Sequence, residues 1–333
     1  MLYTFGASPR VYLPHFKKSQ SMEPATRQSN TPEPDAKQGS RRVIYAAVAA
    51  NLAIAISKFI AAAATGSASM LAEGIHSAVD TGNELLLLLG IRRSNRPADQ
   101  WHPFGYGKVL YFWALIVAVS VFSIGGGVSI YHGIISLLDP PPLEDPRWNY
   151  AVLLAAGVFE GYSWNVARQE LNKRRKPGES IWATIRRSKD PTVFTVFIED
   201  TAALTGIAVA LFGIWLGHLL HNPWIDPAAS VVIGLILVVA AMVLARETGG
   251  LLVGEAIDRE QIVLLKTILG NEPSIERVDR LLTMQLGPDS VLLAASVQFK
   301  RDVRMGDIEL ATERLERNIN QRCPAIRHVF FEY

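Results

Sequence analysis

Residues 68–91 read ASMLAEGIHSAVDTGNELLLLLGI, an apolar segment that contains four ionisable side chains. About 20 apolar residues are enough for a helix to cross the hydrocarbon core of a bilayer, so this segment predicts a membrane span. The four ionisable residues are Glu73, His76, Asp80 and Glu84. Because an ionisable group inside a membrane helix costs several kcal/mol, we expect these side chains to face a protein interior and to have a function.

Five further apolar segments of comparable length follow the same pattern. A soluble helical bundle would show a polar face along each helix, and runs such as Val231–Val239 show none. The sequence therefore predicts an all-α domain of six transmembrane helices within residues 41–246. The five further spans are predicted at residues 43–64, 109–138, 150–167, 193–220 and 228–245.

Charge and cysteine content argue against several classes of protein. The 333 residues carry a formal charge of +2 and only 19% of them are charged, which argues against a disordered or nucleic-acid-binding chain. The single cysteine, Cys323, cannot form an intramolecular disulfide or a cysteine-rich zinc site. An intramembrane metallohydrolase would need a motif such as HExxH, which the sequence lacks, so we do not expect an enzyme.

The distribution of basic residues predicts the orientation of the spans. Short loops rich in Lys and Arg stay on the cytoplasmic side of a membrane. The connections after spans two and four are basic, whereas those after spans three and five contain almost no Lys or Arg. Both termini are therefore predicted to be cytoplasmic. The compact loops favour a bacterial plasma membrane, with an organelle membrane as the second possibility. Residues 1–40, rich in Ser, Pro, Gln and Lys, are predicted to form a disordered arm.

Residues 247–333 have the composition of a small soluble domain. Helical spacing at residues 261–269 and 307–322, with strand patterns at 277–285, 290–299 and 326–332, predicts the order αββαβ. The strongest strand signal is the alternation of apolar residues from Val291 to Phe299. Two helices on one face of a small sheet leave its other face and its edges free to pair with a second copy, so we expect a homodimer.

Polar residues of the predicted spans form a candidate ion site. His76 and Asp80 lie four residues apart, which places an imidazole and a carboxylate on one helix face. One His with carboxylates suits Zn²⁺ and also Fe²⁺, Co²⁺ or Mn²⁺. The alternative is a proton relay or a structural hydrogen-bond network. Polar residues of other spans are Asn51 and Lys58 in span one, Glu160 in span four, and Glu199 and Asp200 in span five.

Three motifs resemble the cation diffusion facilitator family. They are Ser69–Thr81 in span two, His102–Lys108 before span three, and Asp226–Ser230 at the start of span six. The resemblance extends from about residue 40 to the end of the chain. It implies six spans with both ends in the cytoplasm, and a tail similar to metallochaperone-like, ferredoxin-like domains. It also implies a homodimeric antiporter that exports a divalent cation from the cytoplasm in exchange for protons.

The resemblance also implies a ligand set for the transported ion. Members of the family take two ligands from span two and two from span five. His76 and Asp80 match the first pair, and Asp200 matches the second member of the other pair. The remaining position is Val196, which cannot bind metal. Glu199 is the candidate substitute, as in a subgroup with Glu-Asp at this place, with Glu160 and water as the other options.

Other residues have more open roles. Glu73, Glu84, Glu160 and Asn83 are candidates for a proton or ion path, with helix-packing hydrogen bonds as the alternative. In the family's cytoplasmic loop site, Asp99 and His102 match, but Tyr106 stands where a second His is usual, so we expect a weak loop site or none. Lys108 is a candidate partner of Glu255 at a gate or dimer contact, and the favoured alternative is a lysine that only extends its ammonium group to the membrane surface. The tail contains one histidine, His328, and dimer contact is its expected role rather than metal binding.

The predicted substrate is a divalent metal ion together with protons, and no permanently bound cofactor is expected. His76 favours Zn²⁺, because hard ions such as Mg²⁺ prefer oxygen ligands throughout. The neighbouring carboxylates leave Fe²⁺, Co²⁺ and Mn²⁺ open. Two other functions stay open for the same residues: a passive cation channel, and a membrane interaction protein with a degenerate site in which Val196 breaks the ligand pattern.

Overall fold

The structure is a computed structural model that describes residues 51–142 and 145–333. The predicted arm of residues 1–40 and the first part of predicted span one lie outside the described residues. The described chain is mostly helical and ends in a small domain with a three-stranded sheet.

Seven helices precede the sheet domain in the described part of the chain. Six of them correspond to the six predicted apolar segments, and the short α5 lies in the basic connection between spans four and five. The helices are α1 (Asn51–Thr65), α2 (Ala68–Ser94), α3 (Lys108–Leu138), α4 (Arg147–Arg174), α5 (Ile181–Arg187), α6 (Pro191–Leu220) and α7 (Ile225–Val253).

Three of the described helices, α3, α6 and α7, are long and apolar enough to cross a membrane. The apolar helix α1 is described over a shorter range. With 27 and 28 residues, α2 and α4 each provide about 40 Å of helix, but they carry the charged residues of the predicted polar interior. Their length is sufficient for a span while their composition is mixed, so the count of six spans stays a prediction.

The starts and ends of these helices follow from local chemistry. Ser67 caps α2, because its Oγ accepts a hydrogen bond from the backbone N–H of Met70 at 3.1 Å. Asp190 caps α6 in the same way, accepting from the N–H of Thr192 at 3.1 Å. A proline follows Asp190 at the first helical position, where no N–H is needed. α7 ends at Val253, and Gly254 follows with a φ of 117°, which suits a residue without a side chain.

α3 and α7 approach each other closely at two glycines. A Cβ added at Gly234 of α7 would lie 2.6 Å from Ile130 and 2.9 Å from the carbonyl oxygen of Gly126 in α3. Gly126 belongs to Val121–Val128, a π-helical segment within α3. Small residues allow such backbone contact between membrane helices. α2 packs on both α3 and α7, and α6 packs on α7, so this contact supports the two helices that carry the candidate site.

Asp226, in the first turn of α7, binds the N-terminus of α2. Its Oδ2 accepts the backbone N–H of Ala68 at 2.7 Å, and its Oδ1 accepts the hydroxyl of Ser67 at 3.0 Å and that of Ser69. The carboxylate is buried and lies at the positive end of the α2 dipole. This contact sets where α2 begins, and therefore how deep its ionisable residues lie in the helical domain.

The C-terminal domain has the predicted order αββαβ. β1 (Ile275–Gly287) pairs antiparallel with β2 (Ser290–Phe299), and β2 pairs parallel with β3 (Ile326–Glu332), giving the strand order β1-β2-β3. The alternating apolar residues of β2 are buried against the two helices, as the sequence predicts. The elements are α8 (Arg259–Gly270), β1 (Ile275–Gly287), β2 (Ser290–Phe299), α9 (Met305–Arg322) and β3 (Ile326–Glu332).

The opposite face of the sheet is partly covered. Leu282 and Phe330 flank β2 on this face and are each about half exposed. Phe104, from the connection between α2 and α3, packs edge-on against His328, with ring centroids 5.2 Å apart, and against Phe330 at 6.4 Å. Part of the face predicted to pair with a second copy therefore contacts the helical domain of the same chain.

Ion pairs tie the segment after α7 to the basic connection before α6. Nζ of Lys189 lies 2.6 Å from Oε2 of Glu255, and Arg187 lies 3.5 Å from Asp258. α6 and α7 are consecutive antiparallel helices, so the residues just before α6 and just after α7 are neighbours.

Within the chain, Lys108 does not pair with Glu255, because the same hairpin places another lysine beside this carboxylate. Glu255 is held by Lys189, which the α6–α7 hairpin brings beside it. Lys108 begins α3, and its Nζ lies 3.6 Å from Sδ of Met284 on β1. Lys108 therefore contacts the C-terminal domain through the sheet rather than through Glu255.

Replacing Asp226 with Ala should destabilise the helical domain by about 2 kcal/mol, because buried donors at the start of α2 lose a charged acceptor. The measurement is the midpoint temperature of thermal unfolding in detergent, which should fall. Asp139→Ala removes an exposed carboxylate just after α3 and serves as the control that should leave the midpoint unchanged. An unchanged midpoint for the Asp226 variant would contradict the capping role.

Candidate metal site in the helical domain

α2 presents His76 and Asp80 side by side, as their spacing predicts. Nδ1 of His76 lies 3.2 Å from Oδ2 of Asp80. The side chain of His76 is 1% exposed and that of Asp80 is 16% exposed, so the pair lies inside the helical domain. An imidazole and a carboxylate at this separation provide nitrogen and oxygen donors on one helix face.

α6 contributes Glu199 and Asp200, which are both buried. Nδ2 of Asn83 donates a hydrogen bond to Oε1 of Glu199 at 2.7 Å, which joins α2 to α6. Ser163 of α4 is a neighbour of Asp200. Val196, one helical turn before Asp200, is half-buried and offers no donor atom. Polar residues of α2, α4 and α6 therefore converge in one region.

Three buried nitrogen and oxygen atoms in this region that could bind a metal ion have no hydrogen-bond partner among the described residues. They are Nε2 of His76, Oδ1 of Asp80 and Oδ2 of Asp200. Buried polar atoms in proteins nearly always have a partner, so unpartnered lone pairs are characteristic of sites that bind a cation, a proton or water. The other buried atoms without a hydrogen bond are Nδ1 of His76, which lies 3.2 Å from Oδ2 of Asp80, and Oε1 of Glu73, Oε2 of Glu84 and Oγ1 of Thr195.

The candidate ligands do not form a compact cluster. Within residues 51–142 and 145–333, no group of three or more His, Cys, Asp or Glu side chains is arranged to hold a metal ion. Asp80, Glu199 and Asp200 are close enough to interact electrostatically. Their like charges oppose closer approach, and a divalent cation between them would compensate that repulsion. Gathering the donors around an ion therefore requires movement of their side chains.

Residues predicted for a proton or ion path border the same region. Oε1 of Glu84 accepts a hydrogen bond from Nδ2 of Asn51 in α1 at 2.7 Å. Glu160 of α4 is close enough to His76 and Asp80 to interact electrostatically with both. The polar region therefore extends from α2 and α6 to α1 and α4.

Glu73 differs from the other predicted path residues because a lysine binds it. Nζ of Lys58 in α1 lies 3.0 Å from Oε2 of Glu73 and 2.7 Å from Oγ of Ser77. The side chains of Lys58 and Glu73 are both fully buried. Lys58 is expected in the polar interior from its place in span one, but its partner is not predicted. The available signal is a single basic residue within an apolar segment, because such a charge needs a buried acid.

The connection between α2 and α3 uses Asp99 for its own structure. Oδ1 of Asp99 accepts the backbone N–H groups of Trp101 and His102, at 2.9 and 2.7 Å. Oδ2 accepts the hydroxyl of Tyr106 at 2.6 Å, and this hydrogen bond lowers the pKa of the Asp99 carboxyl below its ordinary value. Nδ1 of His102 lies 3.4 Å from Oδ1 of Asp99. The two predicted loop ligands are adjacent, but both carboxylate oxygens already accept hydrogen bonds within the turn.

Comparison with known proteins adds a family and named relatives. Residues 44–253 match the family model described as the cation efflux transmembrane domain. The chain is 36% identical over 264 residues to the human protein named proton-coupled zinc antiporter SLC30A9, mitochondrial. It is 32% identical over 265 residues to metal tolerance protein C4 of Arabidopsis thaliana, and 27% identical over 253 residues to the manganese efflux system protein MneP of Bacillus subtilis.

The alignments cover much of this chain and differing shares of the relatives. They include 79% of this chain for the human and Arabidopsis proteins and 75% for the Bacillus protein. The matched region is 46% of the human protein, 58% of the Arabidopsis protein and 81% of the Bacillus protein. The chain thus spans about half the length of the human and Arabidopsis proteins.

Replacing His102 with Ala should leave the number of divalent ions bound per chain unchanged, because the Asp99 oxygens are engaged in the turn. The measurement is equilibrium dialysis of the full chain in detergent against Zn²⁺, with metal quantified by mass spectrometry. Asp80→Ala is the comparison variant and should lose bound ion. A lower ion count for the His102 variant would instead identify the loop as a metal site.

Proposed function

Because this chain belongs to the cation efflux, or cation diffusion facilitator, family of membrane transport proteins, we propose that it exports a divalent metal ion from the cytoplasm by exchange for protons. The proposed ion is Zn²⁺. The observation that carries the proposal is the set of buried, unpartnered donor atoms on His76, Asp80 and Asp200. These residues come from the two helices to which the family resemblance assigns the ligands.

The donor set suits a dication in chemistry and in charge. One imidazole nitrogen and two carboxylate oxygens provide the mixed ligands that Zn²⁺ accepts. Two carboxylates also balance two positive charges, which matters because an uncompensated ion is costly in low-dielectric surroundings. A site with three protein ligands leaves a position for water, and exchangeable water suits an ion that must leave again.

The three proposed protein ligands leave the fourth ligand of the ion to be assigned. Glu199 lies next to Asp200, but its Oε1 is already bound by Asn83. Glu160 of α4 is half-buried and borders the same region. We propose water as the fourth donor, with Glu199 positioned by Asn83 beside the ion. The hydrogen bond that Oε1 of Glu199 accepts from Asn83 supports water, rather than Glu199, as the fourth ligand.

Proton exchange follows from the chemistry of the ligands. Metal binding requires neutral His76 and ionised Asp80 and Asp200, so binding releases protons and protonation expels the metal. If the site opens alternately to the two sides of the membrane, an inward proton gradient drives the metal outward. The residues bordering the site, Glu73, Glu84, Asn83 and Glu160, are the proposed surroundings through which protons or ions pass.

The choice of ion rests on the imidazole and on the relatives. His76 favours a borderline-soft ion over Mg²⁺. The human relative is named as a zinc antiporter, and the Bacillus relative is named as a manganese efflux protein. Zn²⁺ is therefore the first choice and Mn²⁺ the second, with Fe²⁺ and Co²⁺ compatible with the same donors.

The proposed topology has six spans and both termini in the cytoplasm, in a homodimer. The basic connections and the length of α2 and α4 support the span count. The half-exposed Leu282 and Phe330 on the sheet support a contact with a second copy. The compact loops favour a bacterial plasma membrane, whereas the human relative named as mitochondrial favours an organelle membrane.

Zn²⁺ uptake into proteoliposomes should be faster when the lumen is more acidic than the outside, because an antiporter exchanges internal protons for external metal. Asp80→Asn and Asp200→Asn should each lower that uptake by about 100-fold, since each removes a charged ligand. Uptake is measured with a zinc-sensitive dye in the lumen, with Mn²⁺ tested in parallel.

The control for this experiment is Glu170→Gln. Glu170 is an acidic residue of α4 that pairs with Lys173 at 2.9 Å, outside the proposed ligand set, so its variant should transport as the wild type does. Flux that follows the metal gradient and ignores the pH difference would indicate a passive channel. Absence of flux for every divalent ion tested would favour an interaction protein with a degenerate site.

A second comparison assigns the role of Glu199. Glu199→Gln should weaken Zn²⁺ binding by about 10-fold or less, the effect expected of a residue that positions the site, whereas Asp200→Asn should weaken it more strongly. Binding is measured by competition with a fluorescent zinc chelator at constant pH. Equal losses for the two variants would instead make Glu199 a direct ligand.

A further inference from the structure

Lys58 is the one charged residue of α1 within the described range Asn51–Thr65, and the proposed ligand set does not include it. It is fully buried and has two polar contacts: Oε2 of Glu73 at 3.0 Å and Oγ of Ser77 at 2.7 Å. A buried charge in a membrane helix is costly, and the ion pair offsets only part of that cost. Such a pair calls for a role beyond helix packing.

The pair lies one helical turn from the proposed metal site. Glu73 precedes His76 by three residues on α2, which corresponds to about 4.5 Å along the helix axis. It lies toward the end of α2 that begins at Ala68. In the proposed orientation this end faces away from the cytoplasm. Glu73 is then on the side through which an exported ion leaves.

Oε1 of Glu73 lies against α6. Oε1 has no hydrogen-bond partner among the described residues, and a Cβ added at Gly206 would overlap it. Gly206 follows Asp200 by six residues on α6. The carboxylate of Glu73 therefore lies between the same two helices that carry the proposed ligands, and it presents a free lone pair there.

A free carboxylate at this position would bind a departing dication and hold it. We propose that Lys58 is a tethered cation that neutralises Glu73, so that the metal ion binds only at His76, Asp80 and Asp200 and is released without being retained. The inference rests on the proposed function. The charges of the proposed ligand set support it: Lys58 and Glu73 cancel, and the two carboxylates among the proposed ligands, Asp80 and Asp200, match a single dication. Lys58 is thus a positioning residue that limits affinity on the release side.

This role differs from plain helix packing in the sign of its effects. If the pair only holds α1 on α2, removing either partner weakens the fold and leaves metal affinity unchanged or lower in both cases. If Lys58 neutralises Glu73, removing the lysine adds a negative charge near the ion, and removing the acid leaves a positive charge there. The two variants then change metal affinity in opposite directions.

The experiment is a double-mutant cycle on the full chain, with Zn²⁺ affinity measured in detergent by competition with a fluorescent zinc chelator. Lys58→Met should tighten Zn²⁺ binding by about 10-fold and Glu73→Gln should weaken it by about 10-fold, through one added or lost charge near a dication. The double variant should return close to the wild-type affinity. Lys58→Met should also slow Zn²⁺ uptake in proteoliposomes, and Lys58→Arg, which keeps the charge, should restore both properties.

Three outcomes decide the inference. Affinity changes of the same sign in the two single variants, or no change in either, would overturn it while leaving transport by the wild type intact. A wild-type chain that binds no Zn²⁺, Mn²⁺, Fe²⁺ or Co²⁺ would overturn the proposed function and the inference together. If Lys58→Met does not fold, as judged by thermal unfolding, the double variant, which buries no unpaired charge, is compared with Glu73→Gln. An affinity that returns toward the wild-type value in the double variant supports the role of Lys58, and an affinity as weak as that of Glu73→Gln contradicts it.

Discussion

Charge held away from water is the constraint on which the helical domain depends. Each buried ionisable group needs a compensating partner, because the surroundings cannot solvate it. Lys58 and Glu73 compensate each other, and Asn83 satisfies one oxygen of Glu199. By contrast, donor atoms of His76, Asp80 and Asp200 have no partner among the described residues. Oε1 of Glu73 has no partner either, but Lys58 compensates the charge of that carboxylate, whereas no basic side chain of the described residues pairs with Asp200.

The helices that carry His76, Asp80 and Asp200 are positioned by contacts outside the candidate site. Asp226 fixes the start of α2, and the close approach of Gly126 and Gly234 joins α3 to α7. α2 and α6 pack on that framework from two sides. Because the helices are held at their ends and at glycine contacts, the side chains between them can change position around an ion without unfolding the domain.

The C-terminal domain is attached to the same helices. The α6–α7 hairpin brings Lys189 beside Glu255, just before the domain begins. Phe104, from the connection after α2, reaches the open face of its sheet. Both helices that carry the proposed ligands are therefore connected to the C-terminal domain at their cytoplasmic ends, in the proposed orientation.

Sequence alone determined the features that depend on local order. Apolar segment lengths located the helices, the alternation in β2 predicted a buried strand, and the spacing of His76 and Asp80 placed them side by side, because these properties repeat with the period of one helix or strand. The tertiary structure decided which groups meet across helices. The pairing of Lys58 with Glu73, of Asn83 with Glu199 and of Lys189 with Glu255 depends on packing between segments distant in the chain, which no local period encodes.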